Sequence, residues 1–415
     1  MDAHTLLAQE LRGALDFFRA CTNLNADSPG YGLTADASHR PEFASIAATG
    51  FALSAWVIAV ERGLLSRAEA LALVRGTLRT LEERVPHAWG FFAHFLQRQT
   101  AERWGLCEYS TIDTGLCLNG AITAAAYFRD AELEDRTARL LERLDWAAFI
   151  TEHAGQLVLR MAYNPDRGGD YVTDAPGFIS YWDMAAEQKM LYLLAAPRLA
   201  PKQARALYHG FRRDTGVYQG QPLIINPGGT LFAYQYTEAW LDTARYLDPD
   251  GVDWFANTRL AILAHRDYCL SLSGRFRTFH ARSWGIGCGD TPRGYVVAGA
   301  LPALIPLEPD GTVSISTATA CLPWVPEAVL DMLDYLMHEQ PQTWGPYGFY
   351  DAYNLDVTPP WYSRRVYGIN KGCALLMLEN ALTGLIWDVY THSPWIQQAL
   401  AILGFRERVT VQGGV

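Results

Sequence analysis

The chain has 415 residues, half of them apolar, and a formal net charge of −10. That length and apolar content suffice for a large core, and the acidic balance argues against nucleic acid or an anionic membrane surface as partner, since both demand basic patches. Aromatic residues make up 12% of the chain; their faces can stack on sugar rings, but they also simply fill cores.

Apolar residues recur at helical spacing along most of the chain. The first such stretch, 4–20, carries Leu6, Leu7, Leu11, Leu15, Phe17 and Phe18. A second covers 44–62. The clearest amphipathic helix is 67–84, with Ser66 as its N-cap. Further helices are predicted at 113–129, 134–146, 178–196, 201–212, 232–247, 253–272, 325–338 and 367–389, with a short one at 394–403. Between them lie long segments rich in Gly, Pro and aromatics: 22–43, 163–177, 213–231, 273–293 and 339–365. Loops of that length in a compact domain are usually functional. No Ser/Pro linker or low-complexity tract interrupts the chain, so 1–415 reads as one domain. The even helix spacing suggests a helical toroid or solenoid rather than a bundle.

The seven cysteines, among them Cys117 and Cys373 in apolar stretches, include no CxxC pair. They read as buried thiols of a reducing compartment. The N-terminus lacks a basic segment followed by an apolar one, and no run reaches the roughly 18 apolar residues of a membrane span. A cytoplasmic location follows unless a leader has been trimmed.

Several chemistries lack their residues. There is no Walker A loop, no GxSxG elbow and no HExxH pair. Gly285-Ile286-Gly287-Cys288-Gly289 follows no clear strand, so a dinucleotide site is not expected. Lone histidines such as His94 and His265 read as structural. No metal or cofactor is called for.

Carboxylates set among aromatics remain. Trp182-Asp183 is followed by Glu187; on a helix over 178–196 the two acids share one face near its start. They are either solvated acids favoured by the helix dipole, or one of them, held beside Trp and Tyr, has a raised proton affinity and serves as a general acid. Tyr347-Gly348-Phe349-Tyr350-Asp351 with Asn354 places one Asp in unusual aromatic surface; an Asx-turn accounts for it equally. Glu108 precedes Asp113, which opens the helix at 113–129 or merely caps it. Arg282 and Trp284, with Asp290 and Tyr295 beyond, suit a grip on sugar hydroxyls or pin a loop.

Five strings carry a family resemblance: ASIAATGFALSAWVIAVERG (44–63), YSTIDTGLCLNGAITAAAYF (109–128), FAYQYTEAWLD (232–242), WGPYGFYDAYN (344–354) and GINKGCALLMLENALTGLIWDVY (368–390). They resemble the glucoamylase-like superfamily that holds the endo-β-1,2-glucanases of glycoside hydrolase family 144 and related enzymes. The resemblance implies an all-α fold, an (α/α)6 barrel with its site at one end. It also implies anomer-inverting hydrolysis of β-1,2-glucan or a related oligosaccharide, with no cofactor. By motif, Glu187 is the general acid, Asp351 the general base, and Asp113 lines the site. Trp182, Asp183, Glu108, Arg282, Trp284, Asp290, Tyr347, Phe349, Asn354 and Lys371 are its candidate substrate contacts. Glu187 is expected neutral in a desolvated aromatic setting, and Asp351 ionised in a hydrated one. In relatives the base acts through a substrate hydroxyl.

Departures from the family pattern bear on the substrate. Ala185 and Ala186 replace Tyr and Asn before the acid. Ile369-Asn370-Lys371-Gly372 replaces an IDQG-like string, and Lys371 either meets an anionic substituent or pairs with an acid. The WGxTASDGP-like string becomes Trp284 to Pro292. Transglycosylation, exo-action, and carbohydrate binding without turnover stay open as other readings, as does the oligomeric state.

Overall fold

The computed structural model describes residues 2–167 and 176–408. Along them run α1 (Ala3–Cys21), α2 (Ile46–Glu61), α3 (Arg67–Glu83), α4 (Thr111–Phe128), α5 (Ala131–Glu142), α6 (Trp146–Phe149), α7 (Lys189–Ala195) and α8 (Pro201–His209). The second half adds α9 (Phe232–Glu238), α10 (Trp254–Ser271), α11 (Ile315–Thr319), α12 (Pro326–Glu339), α13 (Gly368–Thr383), α14 (Leu385–Thr391) and α15 (Pro394–Leu403).

Burial divides the long helices into two classes. In α2 every residue from Ile46 to Ala59 is buried, and α4 and α13 are enclosed nearly as completely. A helix apolar on all sides is stable only when surrounded. By contrast, α3, α5 and α12 bury a single stripe, such as Ala70, Leu73, Val74, Thr77, Leu78 and Leu81 of α3. The second class covers the first: α3 and α5 pack on each other and on α2 and α4, and α1 packs on α13 and α12. The α2–α4 approach is close because Gly50 and Gly120 meet there; a Cβ on Gly120 would stand 2.0 Å from the Gly50 carbonyl oxygen.

Serine caps set where the inner helices begin. Ser45 opens α2, Ser110 opens α4, and Ser66 with Glu69 forms the capping box of α3. Asp113 is therefore not the cap of its helix. It sits three residues inside, its side chain turned back to Ser110, whose hydroxyl donates to Asp113 Oδ2 at 2.5 Å.

Among the described residues helix makes up 48% and strand 17%, so the fold is mostly helical and not all-α. The inter-helix segments fold into short antiparallel ladders. Gln156–Tyr163 pairs with Ile150–His153, Tyr109–Ser110 and Phe178–Tyr181. Ala352–Asn354 lies between Val313–Ser314 and Trp361–Tyr362, and Gly289–Thr291 turns back on Gly294–Val296. Part of the predicted loop 163–177 lies outside the described residues.

The helix expected over 178–196 is the main correction. Phe178–Tyr181 is a strand, an irregular turn follows, and helix begins only at Lys189. Pairing outweighs local spacing here: the Trp182 N–H donates to the Leu159 carbonyl, and the Arg212 N–H to the Asp183 carbonyl. The 232–247 helix stops at Glu238, and the 134–146 helix divides into α5 and α6. At Gly384, with φ +72°, the predicted 367–389 helix breaks into α13 and α14, bent by 96°. No single helix among the described residues is long and apolar enough to cross a membrane. All seven cysteines are unpaired.

Candidate active site

The N-terminal ends of α2, α4 and α13 meet at one cleft of about 520 Å³. Ser45, Asp113 and Ile369 reach it from those three helix starts. Helix N-termini carry partial positive charge and favour carboxylates. Asp36 and Arg40 enter from the 22–43 segment, His94 from the bend between Phe91–Phe92 and Phe95–Gln97, and Tyr295, Arg365 and Tyr367 from later loops. Two other concavities of similar size, one around Arg62 and Glu379 at the far ends of α2 and α13, the other around Arg75 and Glu132, hold none of the predicted site residues.

Glu187 lies immediately before α7, close enough to Asp113 to feel its charge. Its backbone is fixed: the Thr237 hydroxyl donates to the Glu187 carbonyl at 3.1 Å, and Gln188 bridges the Ala186 N–H and the Met184 carbonyl. The carboxyl itself takes no hydrogen bond from another side chain among the described residues. Glu187 keeps some contact with solvent, yet protein atoms crowd it closely, and that crowding dominates its chemistry. Burial pushes its carboxyl up to about 7; the Asp113 charge adds to the rise and Lys189 opposes it. A proton held near neutrality with no side-chain partner is available for donation.

Asp351 is only 1% exposed. Asn370 Nδ2 donates to Oδ1 at 2.8 Å and the Asp290 N–H to Oδ2 at 2.7 Å. Burial raises this carboxyl to about 6, against those hydrogen bonds, which stabilise the anion. The setting is desolvated, not the hydrated one expected from sequence. Gly289 makes the contact possible, since a Cβ there would stand 2.4 Å from Asp351 Oδ2. The Cys288 thiol, raised to about 11 first by burial, also feels both Glu187 and Asp351, so both acids lie within electrostatic reach of one side chain, although neither lines the 520 Å³ cleft itself.

The remaining predicted contacts separate into two groups. Asp113 lines the cleft, and Glu108 is joined to it through His94. Asp290 is 3% exposed and ties Asp351 to Arg365, whose Nη1 donates at 3.1 Å. The others are committed elsewhere. Lys371 Nζ is buried on Glu10 Oε1 and the Phe349 carbonyl, both at 2.7 Å, so it faces no ligand. Trp284 is fully buried with its indole N–H toward the Ala328 carbonyl, and Trp182 donates to the Thr111 hydroxyl. Arg282 is paired with Asp334 and Glu339 of α12, and Asp183 with Arg212. Asn354 donates to the Asp310 carbonyl, Phe349 is buried, and Tyr347 packs edge-on against Phe17 of α1. Ala185 and Ala186 are buried as well. Asp183 and Glu187 share no helix face, because no helix runs through them.

Sequence reasoning missed Asp36, Arg40, Arg365 and Tyr367, and assigned His94 a structural role. Burial pushes Asp36 up to about 6, and it feels His94 and Asp113. The one signal for Asp36 and Arg40 was the length of the 22–43 segment. His265 is structural: it is buried and accepts the Ile286 N–H at 2.8 Å.

A family model described as putative glucoamylase matches residues 180–394. Among curated proteins, an exo β-1,2-glucooligosaccharide sophorohydrolase (non-reducing end) from Parabacteroides distasonis is 23% identical over 87% of this chain. The match covers 53% of that relative, so the chain spans about half its length. Among solved structures, a putative glucoamylase from Bacteroides uniformis superposes with a TM-score of 0.85 at 22% identity, covering 98% of both chains. An endo-β-1,2-glucanase from Chitinophaga pinensis, in complex with sophorotriose and glucose, gives 0.82 at 20% identity, covering 98% of this chain and 99% of that one. These likenesses fix the fold.

Proposed function

The chain belongs to the family described as putative glucoamylase, and on that premise we propose that it is a glycoside hydrolase acting on β-1,2-glucan or its oligosaccharides with inversion. Its helices are taken as an (α/α)6 barrel, with α2, α4 and α13 in the inner layer. Glu187 is the general acid and Asp351 the general base. Water attacks the anomeric carbon as the glycosidic C–O bond breaks; the leaving oxygen takes the Glu187 proton, and a proton from water passes to Asp351. The burial of Asp351 favours passage through a substrate hydroxyl over direct contact with free water. The observation that carries the reading is the Glu187 carboxyl, protonated to about pH 7 beside the ionisable wall of the cleft.

The names of the relatives bear on substrate: one acts on β-1,2-glucooligosaccharides as an exo-enzyme, another is an endo-β-1,2-glucanase. Incubation with linear β-1,2-glucan, read by mass spectrometry, tests the proposal. Wild type should release sophoro-oligosaccharides, and Glu187→Gln should lose about three orders of magnitude or more in kcat while still binding. Sophorose alone as the early product indicates exo-action; a ladder of lengths indicates endo-action. Wild-type turnover by Glu187→Gln, or no product from wild type, refutes the assignment.

A further inference from the structure

His94 stands between two groups of acids in the cleft. Its ring lies flat against Phe95, centroids 3.6 Å apart. Nδ1 is 2.7 Å from Glu108 Oε1, and Nε2 is 3.4 Å from Asp113 Oδ1. Both ring nitrogens therefore face carboxylates, and only the doubly protonated ring presents a donor to each. Asp36 adds a third negative charge nearby. Burial by itself lowers the proton affinity of the ring, but Asp113, Glu108 and Asp36 together outweigh it and raise His94 to about 8. Asp113 in turn lies within electrostatic reach of Glu187. Other charged or titratable groups also face this set: Arg40 beside Asp36, Lys189 beside Glu187, Cys288 within reach of Glu187, and His39, Tyr295, Arg365 and Tyr367 in the same cleft.

We propose that His94 is a positioning residue: anchored on Glu108, its imidazolium pairs with the Asp113 side chain in the cleft wall and thereby sets the field in which Glu187 holds its proton. The catalytic part of this statement rests on the proposed role of Glu187 as acid; the electrostatic part does not. Without the imidazolium the Asp113 charge is unopposed, and Glu187 holds its proton to higher pH. A ring that merely packs against Phe95 would lower stability on removal and leave the titration of Glu187 in place.

The test titrates Glu187 by NMR in protein labelled with 13C at glutamate carboxyls, the signal being identified by its loss in Glu187→Gln. Wild type is compared with His94→Gln and Glu108→Gln. The Glu108 side chain is 32% exposed, so its variant carries the test if His94→Gln fails to fold. The Glu187 midpoint should move up by roughly half to one pH unit in His94→Gln and by less in Glu108→Gln. The alkaline limb of kcat/KM on linear β-1,2-glucan should move the same way, with kcat affected more than KM. A midpoint unmoved in a folded variant overturns the proposal. A shifted midpoint in a protein that cleaves no β-1,2-glucan supports the electrostatic link and refutes the hydrolase reading instead.

Discussion

Holding Glu187 in its acid form costs stability once the pH rises. An unfolded glutamate titrates near 4.5, the folded one at about 7. Between these values the native state binds more protons than the unfolded state, so stability falls with increasing pH. The contribution is fully present below 4.5 and lost as pH passes through about 7, a difference on the order of 3 kcal/mol at most. Glu187→Gln has no charge to bury. Its melting temperature should match wild type near pH 4.5 and exceed it by a few degrees at pH 8, as scanning calorimetry can check. A gap that does not change with pH would locate the effect outside this carboxyl. Asp351, raised by burial to about 6, obeys the same sign. Both acids were singled out in the sequence, as carboxylates set among aromatics and by the family resemblance from which their proposed roles come. His94 and Asp36 were not, because they owe their roles to loops that meet only in space; neither FFAHF nor TADAS carries a mark of Asp113, which lies beyond both.

The helices with a strong pattern were legible at the level of elements. Ala70 to Leu81 set the stripe of α3, and Ser66 set its start. The 178–196 segment failed because its residues satisfy their backbone through Gln156–Tyr163 and Arg212, partners that spacing cannot name. Two glycines show how much of an element is decided by its neighbour. Alanine is the better helix former by about 1 kcal/mol, so Gly50→Ala within α2 gains locally. Its Cβ, however, would lie 2.4 Å from Cys117 Cα and the Leu116 carbonyl oxygen, both backbone atoms of α4. Contact wins, and a net loss of about 2–3 kcal/mol or more is expected. Gly384→Ala meets open space but keeps φ at +72°, which costs about 1 kcal/mol. Urea titration should rank Gly50→Ala well below Gly384→Ala, and the reverse order would mean that the α2–α4 approach readily relaxes.

At the scale of the molecule, α1 and α13, far apart in sequence, are joined beside Asp351. Glu10 on α1 and Lys371 on α13 are 361 residues apart and both nearly inaccessible. Between them they hold the backbone of Phe349: its N–H donates to Glu10 Oε2 at 2.8 Å, and its carbonyl accepts from Lys371. Asp351 follows two residues later. A buried ion pair of this kind is weak evidence for net stability, because desolvation offsets the attraction. Removing one partner is another matter. Lys371→Met leaves the Glu10 charge buried and unopposed, at a cost of about 3–5 kcal/mol. The double change Glu10→Leu with Lys371→Met removes the orphaned charge but leaves the Phe349 N–H and carbonyl without partners, each worth about 1–3 kcal/mol if buried. The double variant should therefore unfold between the single variant and wild type. Since α1 packs on α13, the loss should displace one cooperative transition of the whole chain. A separate early transition in Lys371→Met, with the main one unmoved, would show that α1 and the Phe349–Asp351 segment melt apart from the rest; denaturation followed by tryptophan fluorescence and far-UV circular dichroism together tells the two cases apart.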